Sequence, residues 1–149
     1  QEVFDILKKC ELPFEDFKKL KKHAEDYGID FFSTPFDKES VEYLESINTD
    51  LYKVASFDIV NKALLRELAK TGKPMILSTG MSTLGQIEEA VDTVVSEGNK
   101  NLMLLHCNSS YPASPNEMNL KVIPNLTSGL TLFILSSLVL CILVEVNYI

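Results

Sequence analysis

Short apolar runs alternate along the chain with longer amphipathic stretches. The runs are Ile29–Thr34, Leu51–Ser56, Pro74–Thr79 and Asn101–Cys107. Each has the length of one strand and is bounded by turn or polar residues. Runs such as Met75-Ile76-Leu77 and Leu102-Met103-Leu104-Leu105 suit strands buried on both faces. The intervening stretches have helical periodicity. Phe17, Leu20 and Ala24 share one face over 15–27, with Lys and Asp on the other. Val41, Leu44 and Ile47 do so over 37–47, and Leu64, Leu65 and Leu68 over 62–71. A fourth helix over 83–97 opens with the capping-box spacing of Thr83 and Gln86. Gly28, Gly72 and Gly98 stand where helix-terminating glycines belong.

Strands alternating with helices predict a parallel sheet joined by crossovers. The fold class is therefore α/β, either an open doubly wound sheet or part of a (β/α)8 barrel. Every apolar run ends in a polar cluster: Ser33-Thr34, Ser56 with Asp58, Ser78-Thr79, and His106 to Ser110. In both architectures ligands bind at the carboxyl ends of the strands. No GxGxxG or GxxxxGK[ST] motif is present, which weighs against the usual nucleotide-binding folds.

The 149 residues suit about one domain. Apolar residues make up 46% of the chain, which excludes a disordered class. Acidic residues outnumber basic ones 21 to 14, for a net charge of −7. That balance speaks against a nucleic-acid partner, though not against a local basic pocket. Cys10, Cys107 and Cys141 form neither a disulfide framework nor a CxxC site, which points to a reducing, cytoplasmic setting. No charged residue occurs between Val122 and Val144. Pro124, Asn125 and Gly129 interrupt this stretch, and its densest part is shorter than the roughly 20 residues a membrane span needs. Membrane association through 122–144 is the lesser alternative. The division expected is a domain over 1–126 and an apolar tail over 127–149. The absent initiator Met and the abrupt change near Leu126 read as the ends of a piece of a longer protein.

Lys53 lies inside an apolar run, where an ammonium is costly unless paired or ligand-facing. Alternation puts Lys53 and Ala55 on one face, Tyr52 and Val54 on the other. A lysine facing a barrel interior binds phosphate or carboxylate, or forms a Schiff base. A lysine that snorkels to solvent is the plain alternative. Asp58 is a candidate general base, or simply a helix cap or loop charge. Thr34, Ser78 and Thr79 offer short hydroxyl donors suited to phosphate. His106 and Cys107 do not make a metal site by themselves, since three or four ligands are normal. His23 belongs to a charged, solvated helix face.

Four ordered motifs carry a resemblance. They are Gly28-Ile29-Asp30-Phe31-Phe32-Ser33-Thr34-Pro35-Phe36-Asp37, Tyr52-Lys53-Val54-Ala55-Ser56-Phe57-Asp58, Gly72-Lys73-Pro74-Met75-Ile76-Leu77-Ser78-Thr79-Gly80-Met81, and Leu105-His106-Cys107-Asn108-Ser109-Ser110-Tyr111-Pro112. From about Leu12 to about Leu126 the chain resembles the N-acetylneuraminate (sialic acid) synthases and the related legionaminate and pseudaminate synthases. The resemblance implies strands three to six of a (β/α)8 TIM barrel. It also implies a synthase that condenses phosphoenolpyruvate with an N-acetylated aldose, giving a nine-carbon 2-keto sugar acid and phosphate. Lys53 then matches a phosphoenolpyruvate-binding lysine, with Thr34, Ser56 and Ser78 in the same pocket. Asp58 matches an acid/base position, and Ser109 and Tyr111 stand on the sugar side. A divalent metal, Mn²⁺ or Mg²⁺, polarises the aldehyde in such enzymes. Its histidines come from the seventh and eighth strands, so this chain is expected to hold no metal ligands and to be inactive alone. The complete enzyme is expected to be a homodimer. The rival readings are a Schiff-base barrel aldolase and a non-catalytic, membrane-tethered half-barrel.

Overall fold

In the computed structural model, residues 2–108, 110 and 114–129 are described. Two helices lead, α1 (Glu2–Cys10) and α2 (Phe14–Asp26). Strand β1 (Phe32–Ser33), helix α3 (Lys38–Ser46) and strand β2 (Leu51–Val54) follow. A 3₁₀ turn over Ser56–Val60 leads into α4 (Lys62–Lys70), β3 (Met75–Ser78), α5 (Leu84–Ser96) and β4 (Leu102–Leu105). A second 3₁₀ turn, Pro115–Glu117, precedes α6 (Val122–Gly129).

The four strands form one parallel sheet in the order β1-β2-β3-β4. A doubly wound sheet reverses its strand order at a switch point, and this one does not. Helices α3, α4 and α5 contribute Val41, Leu44, Leu64, Leu65, Leu68, Val91 and Val94 to a single core against the sheet. Helical cover on one face with strands in consecutive order is the arrangement of a (β/α) barrel segment. The strand residues facing this core are Tyr52, Val54, Met75, Leu77, Leu102 and Leu104.

Local chemistry fixes the helix ends. Asp37 caps α3 by accepting from the Ser40 amide at 2.7 Å, and that bond holds its carboxyl below the usual aspartate range. Asn61 caps α4 through the Leu64 amide at 3.3 Å. Thr83 and Gln86 form the expected capping box on α5. Gly28, Gly72 and Gly98 take positive φ after α2, α4 and α5. Asn48 takes the same conformation after α3, a position asparagine tolerates.

Several local expectations are corrected. The first strand is far shorter than the run 29–34, because its neighbour β2 pairs only with Phe32 and Ser33. The second ends at Val54, and Ser56 already belongs to the 3₁₀ turn. Leu20 is exposed, while Lys21 is buried, paired with Glu25 at 2.9 Å and Asp50 at 3.6 Å. Helix α1 precedes the first amphipathic stretch that periodicity identifies, and α6 takes up the start of the uncharged stretch. Pro124 falls in the first turn of α6, where a missing N–H costs nothing. Leu126 reaches the core. The rest of the apolar tail, 130–149, lies outside the described residues. Among those described, no helix is long and apolar enough to cross a membrane.

On the helical side of the sheet, the Tyr52 hydroxyl donates to Glu45, which also accepts from Lys73 at 2.6 Å. Burial pushes the Tyr52 phenol well above its ordinary value of 10.0, and the Glu45 carboxylate adds to the shift. Burial also pushes Glu45 upward, but the Lys73 and Tyr52 hydrogen bonds outweigh it and leave its pKa below the ordinary 4.5. A depressed carboxylate stabilises the fold above its unfolded pKa, and that contribution is lost as pH falls through the lower folded value. A raised phenol does the opposite, stabilising below pH 10 and losing the effect above it. The thermal unfolding temperature should therefore fall below pH 4.5 and above pH 10. Tyr52→Phe should flatten the alkaline limb relative to wild type, and an unchanged alkaline limb would contradict the assignment.

Candidate functional site at the carboxyl ends of the strands

Strand register places the candidate residues. Lys53 stands beside Ile76, and Ile76 beside Met103. These three lie on the face that the helices leave uncovered, and each is half-buried while its strand neighbours are buried. Alternation puts Ser78 on the same face as Ile76, one step nearer the carboxyl end. Thr34 follows β1 by one residue, and the Phe32–Leu51 pairing brings it level with Lys53 on that face. The sheet thus gathers Thr34, Lys53 and Ser78 on one side.

Beyond the strand ends, three loops are tied together. Ser56 Oγ accepts from the Gly80 amide at 3.0 Å and lies 3.5 Å from Cys107 Sγ. Thr79 bonds the Leu105 carbonyl through its amide at 3.0 Å and its hydroxyl at 3.1 Å. At Gly80, a Cβ would meet Cys107 Sγ at 3.0 Å, the Cys107 carbonyl at 3.1 Å and Ser56 Oγ at 3.2 Å. A side chain there would require Cys107 or Ser56 to give way by a few tenths of an ångström, a matter of close approach rather than of a special φ. Ser56 therefore has a structural duty in addition to the pocket role expected of it.

Three buried side-chain oxygens among the described residues lack a hydrogen-bond partner: Asp58 Oδ2, Ser78 Oγ and Ser82 Oγ. Ser78 is the last residue of β3, while Asp58 and Ser82 lie in the loops after β2 and β3. A buried orphan of this kind costs about 1–3 kcal/mol. Ser78 is only 3% exposed, so its hydroxyl has little access to solvent. Asp58 sits in the 3₁₀ turn rather than at a helix cap. Its other oxygen is 3.5 Å from Asn61 Nδ2, at the limit of a hydrogen bond. The site therefore offers a lysine, a carboxylate and unused hydroxyls at one end of a rigid sheet. Such a set suits an anionic ligand with several oxygen atoms.

The remaining candidates divide. His106 is half-buried, and its Nε2–H donates to the Met118 carbonyl at 2.7 Å, a structural bond. His23 is exposed on α2 beside Tyr27. Ser109 and Tyr111 lie outside the described residues. No group of three His, Cys, Asp or Glu side chains converges among those described. The described residues thus do not fit the divalent metal that the resemblance implies. The periodicity reading missed Gly80, Cys107 and Ser82 as parts of the site. The polar cluster closing each run was the available signal, but which member turns inward depends on loop geometry.

Residues 1–134 match the NeuB family. The chain is 43% identical over 129 residues to the N,N'-diacetyllegionaminic acid synthase of Campylobacter jejuni, covering 85% of this chain and 39% of that protein. It is 34% identical over 120 residues to the pseudaminic acid synthase of Helicobacter pylori, covering 80% of this chain and 35% of that one. A crystal structure of N-acetylneuraminic acid (sialic acid) synthetase from Leptospira borgpetersenii, in complex with citrate, superposes with a TM-score of 0.81 at 36% identity. That match covers 86% of this chain and 45% of the other. The chain thus spans less than half the length of each of these relatives.

An orphaned hydroxyl predicts an unusual substitution result. Ser78→Ala should leave the unfolding free energy of the ligand-free protein unchanged or raise it, because the variant removes an unsatisfied group. A loss above about 1 kcal/mol in urea unfolding would show that Ser78 is bonded in the fold. Gly80→Ala should cost about 1–3 kcal/mol through overpacking against Cys107 and Ser56. An unchanged urea midpoint would contradict that close approach.

Proposed function

The chain belongs to the NeuB family, and we propose that it forms the phosphoenolpyruvate-binding part of a synthase that condenses phosphoenolpyruvate with an N-acetylated aldose. The observation that carries this reading is the placement of Lys53 and the unpartnered Ser78 hydroxyl on one face of the sheet. The Lys53 ammonium neutralises a carboxylate or phosphate oxygen of the ligand. Ser78 and Thr34 donate hydroxyl hydrogen bonds to the same anion. Ser56, fixed by the Gly80 amide, holds the β2 and β3 loops around it. Because the chain spans only part of its relatives, the complete reaction draws on residues beyond those described.

In that reaction the enolpyruvate C3 forms a bond to the aldehyde carbon of the open-chain sugar, and the aldehyde oxygen takes up a proton. Water adds to C2, which carries the developing positive charge. The C2–O bond to phosphate then breaks, leaving a 2-keto acid and inorganic phosphate. Asp58, half-buried with one oxygen unpartnered, is assigned the role of accepting a proton from that water or from the adduct it forms. Ser109 and Tyr111 are assigned to the sugar side. No step is assigned to a metal, for which the described residues supply no ligand set. A homodimer is proposed for the complete enzyme.

Calorimetric titration of the chain with phosphoenolpyruvate tests the reading. Lys53→Ala should weaken binding by about 10–100-fold, the scale of one charge-assisted hydrogen bond. Equal affinity in both would remove Lys53 from the site. Borohydride treatment with pyruvate should leave Lys53 unmodified by mass spectrometry. A reduced adduct on Lys53 would favour a Schiff-base aldolase instead.

A further inference from the structure

The proposed reaction gives Cys107 no role, although its thiol lies within the tied loops of the site. Its Sγ is 3.5 Å from Ser56 Oγ, and either atom is able to donate. The residue is half-buried and forms no disulfide. Two residues earlier, the Leu105 carbonyl accepts the Thr79 amide at 3.0 Å and the Thr79 hydroxyl at 3.1 Å. Those two bonds lock the end of β4 to the loop after β3. A Cβ at Gly80 would come within 3.0 Å of the sulfur, so the thiol packs directly against that backbone.

A serine hydroxyl has one proton to donate and two lone pairs that accept. At Ser56 one lone pair takes the Gly80 amide at 3.0 Å, which leaves two arrangements with the sulfur. If the hydroxyl donates to Cys107, its only proton goes to a weak acceptor and none remains for a ligand. If the thiol donates to the hydroxyl, both lone pairs are filled and the proton is free for an anion. Oxygen is the better acceptor of the two atoms, and a hydroxyl that accepts two hydrogen bonds is polarised into a stronger donor. Two positions before Gly80, the Ser78 hydroxyl is 3% exposed and unpartnered. It is an independent sign that this end of the sheet is built to donate hydroxyl protons to a ligand.

We infer that Cys107 is a positioning residue of the anion site, its thiol donating to Ser56 Oγ and so reserving the Ser56 hydroxyl proton for the ligand. This role rests on the phosphoenolpyruvate-binding reading of the same site. Cys107 touches no reacting atom and acts only through Ser56. A thiol-to-oxygen hydrogen bond is weak, worth about two- to fivefold in affinity.

Infrared spectroscopy of the S–H stretch tests the role, in the chain carrying Cys10→Ser and Cys141→Ser so that Cys107 has the sole thiol. Donation weakens the S–H bond, so the band should lie at lower frequency with Ser56 present than in Ser56→Ala. Saturating phosphoenolpyruvate should lower it further, because a hydroxyl that donates to an anion becomes a better acceptor. A band at one frequency with and without Ser56 would overturn the inference. So would a band that stays unmoved while calorimetry shows phosphoenolpyruvate bound. Calorimetric titration of Cys107→Ala should show phosphoenolpyruvate bound about two- to fivefold more weakly, and an affinity equal to wild type would also overturn the role. Should either alanine variant fail to fold, as its urea midpoint would show, the band shift on binding to the chain that keeps Ser56 and Cys107 decides. If wild type binds no phosphoenolpyruvate, the reading of the site falls first and the positioning role with it.

Discussion

Lys53 beside Ile76, and Ile76 beside Met103, is the pairing on which the rest of the chain depends. Backbone hydrogen bonds between parallel strands fix this register, and register fixes which side chains share a face. A slip of one residue would turn Lys53 into the apolar layer occupied by Leu64, Leu65, Leu68 and Val91, where an unpaired ammonium is very costly. Burial of Tyr52, Val54, Met75 and Leu77 against the helices is therefore also what points Lys53 away from them. Core formation and presentation of the lysine follow from one alternation.

The junction of Ser56, Gly80 and Cys107 converts that sheet into a shaped site. Strand ends diverge into loops, and without a tie their polar residues would move independently. One hydroxyl between a backbone amide and a thiol draws the loops after β2, β3 and β4 together and leaves little room for a side chain at position 80. Against this ordered background, the unpartnered oxygens of Asp58, Ser78 and Ser82 are uneconomical for stability. Buried polar groups are paired in the great majority of folded proteins, so their concentration at one end of the sheet marks where the protein departs from its most stable arrangement.

Much of this organisation was legible in the chain. Alternation of apolar runs with helical stretches gave four parallel strands, and the Thr83–Gln86 spacing gave a capping box that forms as expected. The same reading overstated β1, since an apolar run limits a strand's length but its partner's register determines it. Lys21 was placed on the wrong side because periodicity treats every lysine as solvated, and the carboxylates of Glu25 and Asp50 reverse that. Lys53, Ser56 and Ser78 were identifiable as polar residues in or after strands. Their convergence was not, because Ser56 acts from a 3₁₀ turn and meets Gly80 and Cys107 only in three dimensions. The family resemblance supplied the site roles, while the geometry supplied the reason that several of these residues share one end of the sheet.

The central claim is that an anion binds at the carboxyl ends of the strands. Amide chemical-shift mapping of the ¹⁵N-labelled chain with phosphoenolpyruvate tests it most directly. The account predicts saturable shifts at the amides of Ser56, Asp58, Ser78 and Gly80. Shifts confined to the opposite end of the sheet, around the cleft lined by Lys70, Gly98 and Lys100, would contradict it.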